Sequence, residues 1–176
     1  MTMRKPDLTP YGGKYGRWHN TDAYEQRPSN PDHIWRRGVV FFLRKYRISI
    51  VDVYTDPIRP PVFQDADGTS YRLRSPLIGT DRASVPVAVQ IISIDSAGYE
   101  LPSFFHDQVC AEGGLEIEGA HLGGCWEWAD MTRKDGDKLF RHMVLALGAR
   151  KRIGRRCYWG VRMGAAGTWL KSRRNK

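Results

Sequence analysis

An imidazole and a carboxylate stand side by side at His106 and Asp107, straight after two phenylalanines, in "LPSFFHDQVC" (101–110). Histidine is the commonest metal ligand and the natural general base near neutral pH. On a helix, neighbouring side chains point about 100° apart, so this pair cannot face one core together. If Phe105 and Val109 face inward, His106 lies at the edge, near Cys110 one turn on. Asp107 then either shares a metal with His106 or orients a second group. The structural alternative is a histidine bonded to a backbone carbonyl and an aspartate turned to solvent.

Asp137 is a second candidate. It stands three and seven residues before Phe140 and Val144, on or beside the apolar stripe of "DKLFRHMVLALGA". A carboxylate there is costly unless it is paired, hydrogen-bonded or metal-bound; a first-turn acid that complements the helix dipole is the plainer reading. Arg133, four residues earlier, is a candidate partner. A third polar cluster, Thr80, Asp81 and Ser84, lies in "GTDRASVP" (79–86). Asp81 suits an Asx-turn or a helix cap. Ser84 would need a nearby base to act as a nucleophile, and no G-x-S-x-G elbow surrounds it. His19 and His33 read as arm residues, His121 follows a glycine-rich loop, and His142 sits in a basic helix. There is no H-E-x-x-H, P-loop or G-x-G-x-x-G.

These residues depend on the elements that carry them. Residues 1–34 mix Gly, Pro, Asn and Tyr and read as an extended N-terminal arm, ordered if Tyr11, Tyr15, Trp18 and Tyr24 find a surface. "GVVFFLRKYRISIVDVYTD" is β-branched and aromatic and reads as one or two strands. Asp67-Gly68 in "DADGTS" marks a hairpin turn. "SVPVAVQIISID" is an apolar run that suits a strand or a short helix. "PSFFHDQVC" makes two helical turns, and "AEGGLEIEGAHLGG" reads as a loop or short hairpin. Leu139, Phe140, Met143, Val144 and Leu147 keep helical spacing, with Gly148 placed as a C-terminal cap. Ile153, Cys157 and Val161 share a face of a last helix. Strands first and helices last predict an α+β fold. The expected organisation is an arm over 1–34, a single domain over 35–170 and a basic tail over 171–176.

Charge is unevenly placed along the 176 residues, whose formal net is +9. Of 28 Lys and Arg, 12 fall between Lys138 and Lys176, where there is no Asp or Glu, leaving 16 cations against 19 acids before them. Such a basic end attracts polyanions: nucleic acid, anionic lipid or an acidic partner. No apolar run approaches the ~18 residues that span a bilayer, and the start lacks a signal-peptide apolar stretch. A soluble, cytoplasmic chain is the expectation. Cys110, Cys125 and Cys157 form no CxxC pair and read as reduced thiols.

Taken in order, "TDRASVP" (80–86), "FFHDQVC" (104–110), "RKDGDKLFRHMVLALG" (133–148) and "YWGVRMGAAGTW" (158–169) resemble a bacteriophage and prophage family known as domain of unknown function 1353. Its pattern runs TD-x-A-S-x-P, an apolar stretch, HD-x-x-Y, an R-x-x-A-D-x-x-F helix and a closing Y-x-x-V-R-x-x-G. The resemblance covers roughly residues 40–170 and implies that Thr80, Asp81, Ser84, Pro86, His106, Asp107, Arg133, Asp137, Phe140 and Arg162 are matching positions. Cys110 stands where the family usually has tyrosine, and Gly136 replaces an alanine.

Two functional expectations follow. In the first, a phage enzyme uses Asp81, His106, Asp107 and Asp137 as a catalytic cluster. His106, Asp107 and Asp137 hold a divalent metal that activates water for hydrolysis of peptidoglycan or a phosphoester. Arg133, Arg162 and Ser84 contact the substrate. In the second, a non-catalytic phage protein, in the host cytoplasm or in the virion, uses the His/Asp residues as a structural network. Its basic C-terminal region then binds nucleic acid or an acidic partner.

Overall fold

The computed structural model describes residues 14–28, 51–74, 76–80, 100–118 and 125–164. Asp81, Ser84, the "SVPVAVQIISID" run, His33, His121 and the 171–176 tail lie outside them. The described chain is α+β, as expected. Its strands are β1 (Arg17–His19), β2 (Tyr24–Pro28), β3 (Val51–Thr55), β4 (Val62–Gln64), β5 (Ser70–Arg72), β6 (Leu77–Thr80), β7 (Gly114–Glu118) and β8 (Glu127–Asp130). Its helices are α1 (Glu100–Glu112), α2 (Arg133–Ala146) and α3 (Lys151–Gly164). Five strands form an antiparallel sheet in the order β1-β4-β5-β7-β8, and three form a second, β2-β3-β6.

The β4–β5 hairpin follows from its turn. Asp65 Oδ1 accepts the backbone N–H groups of Asp67 and Thr69 at 2.9 and 3.0 Å, and Gly68 takes φ +90°, where a side chain would be strained. Of the loop or short hairpin expected over 111–124, the described part, 111–118, includes a strand, β7, that pairs antiparallel with the next strand, β8, and so favours the hairpin. Leu115 is fully buried, Glu116 faces the opposite side of the sheet, and the strand is hydrogen-bonded on both edges, to β5 and β8. Its first glycine is there for space, because a Cβ on Gly114 would lie 2.3 Å from the Ala129 carbonyl oxygen.

Residues 14–28, inside the span expected as an arm, contribute strands to both sheets. The Trp18 ring lies 5.1 Å from Phe63 and 5.4 Å from Phe105, edge-on to the latter. Its indole N–H donates to the Met143 carbonyl at 3.1 Å. Aromatic rings of this segment therefore dock on the chain's own core. A buried indole brings a large apolar area but needs a partner for its N–H, and α2 supplies one.

That core is shared. Val53 and Leu77 of the three-stranded sheet, Phe63 and Leu115 of the five-stranded sheet, Phe104 and Phe105 of α1 and Met143 of α2 pack in one cluster. α1 is buried at every position from Leu101 to Val109, so the edge position expected for His106 and the solvent position for Asp107 do not hold. The reason is layering: α1 has the sheets on one side and α2 on the other, leaving no face for water. Phe140, Val144, Cys157 and Val161 form a second cluster between α2 and α3, and Cys157 and Val161 lie on the expected apolar face of α3.

Candidate functional site

Burying α1 on all sides forces each of its polar side chains to find a partner. Gln108 behaves like an extra strand residue: its Oε1 accepts the Arg74 backbone N–H at 3.1 Å, and its Nε2 donates back to the Arg74 carbonyl at 3.4 Å. His106, two residues earlier, points to α2. Its Nε2 lies 2.8 Å from Oδ1 of Asp137, and the two side chains are 1% and 0% exposed. Asp137 Oδ2 accepts from Arg162 Nη1 at 3.1 Å, so each carboxylate oxygen has its own donor on a different helix. The His106 ring packs against Phe140 at 5.4 Å between centroids.

Local sequence sets this geometry. α2 starts at Thr132, whose hydroxyl accepts the Asp135 backbone N–H while donating to the Asp135 carboxylate. This reciprocal cap, spelled T-x-x-D, fixes the first turn and hence the direction of Asp137. Gly136 lets α1 approach: a Cβ there would lie 2.7 Å from Val109 Cγ1. At the other end of α2, Gly148 caps the helix at φ +86°, with its N–H on the Leu145 carbonyl, and turns the chain into α3.

Arg133 joins the network from a side the spacing did not suggest. Its Nη2 donates to the carbonyls of Val161 and Arg162 at 2.9 and 2.7 Å. Both lie at the C-terminal end of the described part of α3. Arg133 thus ties the first turn of α2 to α3, and Arg162 returns from α3 to Asp137.

The electrostatics follow. Burial works against charge on the His106 ring, but the hydrogen bond to Asp137, then the Cys110 sulfur and last the Asp107 carboxylate, outweigh it and push the imidazole pKa up to about 10. For Asp137 burial also opposes the charge, and the donors His106 and Arg162 prevail, holding the carboxyl below its ordinary value. The arrangement is a carboxylate between an imidazolium and a guanidinium.

The structure brings together His106, Asp107, Asp137, Arg133 and Arg162, five of the seven residues singled out. Asp107 Oδ1 is 4.0 Å from His106 Nδ1, beyond hydrogen-bond length but close enough to favour positive charge on the ring. These donors do not fit a divalent metal. His106 Nε2 is spent on Asp137: facing a carboxylate oxygen it carries a proton and has no lone pair to offer. Asp137 already meets two cations. Among the described residues no group of three or more His, Cys, Asp and Glu side chains is arranged to hold a metal ion.

Cys110 gives no sign of an activated nucleophile. Its sulfur lies 3.9 Å from Nδ1 and 3.7 Å from Nε2 of His106. Nearly equal distances to both nitrogens mean that the sulfur is aligned with neither one. A cysteine–histidine couple works through one nitrogen in the ring plane.

Part of the basic stretch from Lys138 to Lys176 forms a surface on α3. On α3, Lys151, Arg152, Arg155, Arg156 and Trp159 are all exposed, Trp159 at 58%. Residues 152, 155, 156 and 159 recur at three- and four-residue steps and form one solvent face, opposite Cys157 and Val161. The signal was in the sequence as a second, basic periodicity running beside the apolar one. Among the described residues these four cations make no ion pair with an acid. No helix among the described residues is long and apolar enough to cross a membrane.

No protein-family model, curated protein or solved structure matches this chain.

Proposed function

We propose that this chain is a non-catalytic nucleic-acid-binding protein whose buried His106–Asp137–Arg162 network holds a basic recognition helix, α3, on the body of the fold. The observation that carries this reading is the cationic face of α3. Stability alone would not build it. The first turn of a helix favours acids, yet α3 opens with Lys151 and Arg152 and has no acid there. Arg155 and Arg156 extend the same charge along the helix. Cations spaced along one exposed face are the electrostatic footprint of a phosphate backbone.

A membrane surface suits α3 less well. An interfacial helix buries an apolar face in the headgroup region, whereas Cys157 and Val161 of α3 are already packed against Phe140 and Val144 of α2. The resemblance to a phage family supports a role in a bacteriophage, where nucleic acid is the dominant polyanion.

Binding of labelled DNA, followed by anisotropy across a salt series, tests the proposal. We expect log affinity to fall linearly with log salt. The Arg152→Ala, Arg155→Ala, Arg156→Ala triple variant should reduce that slope by about two to three without changing the melting temperature. Absence of salt-dependent binding by the full chain would remove the proposal.

A further inference from the structure

The exposed Trp159 on the cationic face of α3 makes a second argument, which rests on the nucleic-acid reading above. We infer that the site takes a single strand, holding its phosphates with Arg152, Arg155 and Arg156 and stacking an unpaired base on the Trp159 indole. An exposed tryptophan is costly, because its apolar area gains nothing from water. Here its neighbour Tyr158 meets it edge-on, with centroids 5.5 Å apart at 74°, so the indole is braced. Arg155 and Arg156 stand four and three residues before it and flank it on the helix surface. A π-face bordered by guanidinium groups is what base stacking with backbone neutralisation requires. In a duplex the base faces are already stacked on one another, so the indole would find no partner.

The experiment titrates the full chain with an oligo(dT) single strand and with a duplex of the same length, in low salt. The chain has six tryptophans, so quenching is read as the difference between wild type and Trp159→Phe. We expect the single strand to bind roughly tenfold tighter than the duplex, and Trp159→Ala to lower single-strand affinity by roughly tenfold. Duplex affinity and melting temperature should not change, and Trp159→Phe should retain most of the binding. Equal or tighter duplex binding, with Trp159→Ala silent, overturns the single-strand inference but leaves the nucleic-acid reading standing if the triple arginine variant still loses affinity. Failure to bind either DNA overturns both. A blue shift of Trp159 on vesicles of phosphatidylglycerol and phosphatidylcholine, without DNA binding, overturns both in favour of a lipid surface.

Discussion

His106 Nε2 and Asp137 Oδ1 meet at 2.8 Å across thirty-one residues of chain, beside the point where Gly136 lets α2 approach Val109 of α1. Neither side chain is reached by water. Their pairing, extended by Arg162 to α3, ties three helices to one carboxylate. A buried pair of this kind gains little net stability over an apolar core but is expensive to break from one side.

Removal of one partner should therefore be severe. His106→Ala leaves Asp137 with a single donor in a dry site, and Asp137→Asn leaves a buried imidazolium without its counter-ion. Each should lower unfolding free energy by about 3–5 kcal/mol, measured by urea denaturation. A cost below about 1 kcal/mol for both would show that the pair contributes little to the fold.

Stability should fall on the alkaline side. The folded pKa of His106 is raised to about 10 from an ordinary 6.5. Its contribution is thus fully present below about 6.5 and is lost as pH rises towards 10. Asp137 is lowered from 3.8, so its contribution is lost in acid, as pH falls below that value through its folded pKa. Urea midpoints across pH should decline above neutrality in wild type and flatten in His106→Ala if that variant folds. Imidazole chemical shifts read the same group directly; a midpoint near 6.5 would contradict the ion pair.

Gly136→Ala tests the close approach of α1 and α2. The new methyl would lie 2.7 Å from Val109 Cγ1, and a buried valine has little rotamer freedom to yield. Alanine gains up to ~1 kcal/mol of helix propensity, but overpacking of this kind costs about 1–3 kcal/mol. The net effect should be destabilising, and Val109→Ala in the same chain should recover part of it. A stabilised Gly136→Ala variant would mean that the helices have room to spare.

Trp18→Phe probes whether the 14–28 segment belongs to the core. The substitution keeps a ring among Phe63 and Phe105 but removes the donor that reaches the Met143 carbonyl. A loss of about 1–3 kcal/mol is expected from the smaller ring and the lost indole hydrogen bond, although the Met143 carbonyl keeps the Leu147 N–H as a donor. Limited proteolysis should cut the variant faster near residue 20. Wild-type stability and cleavage would show that the segment is only laid on the surface.

Arg133→Met keeps the aliphatic stem and removes the two hydrogen bonds that tie α2 to α3. The carbonyls of Val161 and Arg162 then lose their donor. Hydrogen exchange should quicken in the last turn of α3 more than in α1 or α2. Uniform quickening across all three helices would point to global destabilisation instead.

Short-range rules made much of this protein legible in its sequence. The period of α2 and α3, the Gly148 cap, the Asp67-Gly68 turn and the α+β order all arise from steric and hydrogen-bonding preferences within a few residues. The residue types also marked His106, Asp107 and Asp137 as needing partners, because charge beside an apolar stripe is costly. Which partners they take was a tertiary matter. Arg133, four residues from Asp137, looked like its neighbour, but the Val161 and Arg162 carbonyls of α3 take its guanidinium, and Arg162 arrives from another helix. β7 was hidden because Gly113 and Gly114 suggest a loop, while Gly114 lets the neighbouring strand pass closely and Gly113 supplies the positive φ that turns the chain out of α1. Burial of α1 on every side, which turns His106 from a solvent-edge base into a locked cation, depends on layers drawn from distant parts of the chain. No local pattern encodes that desolvation; it exists only once the sheets and α2 close around the helix.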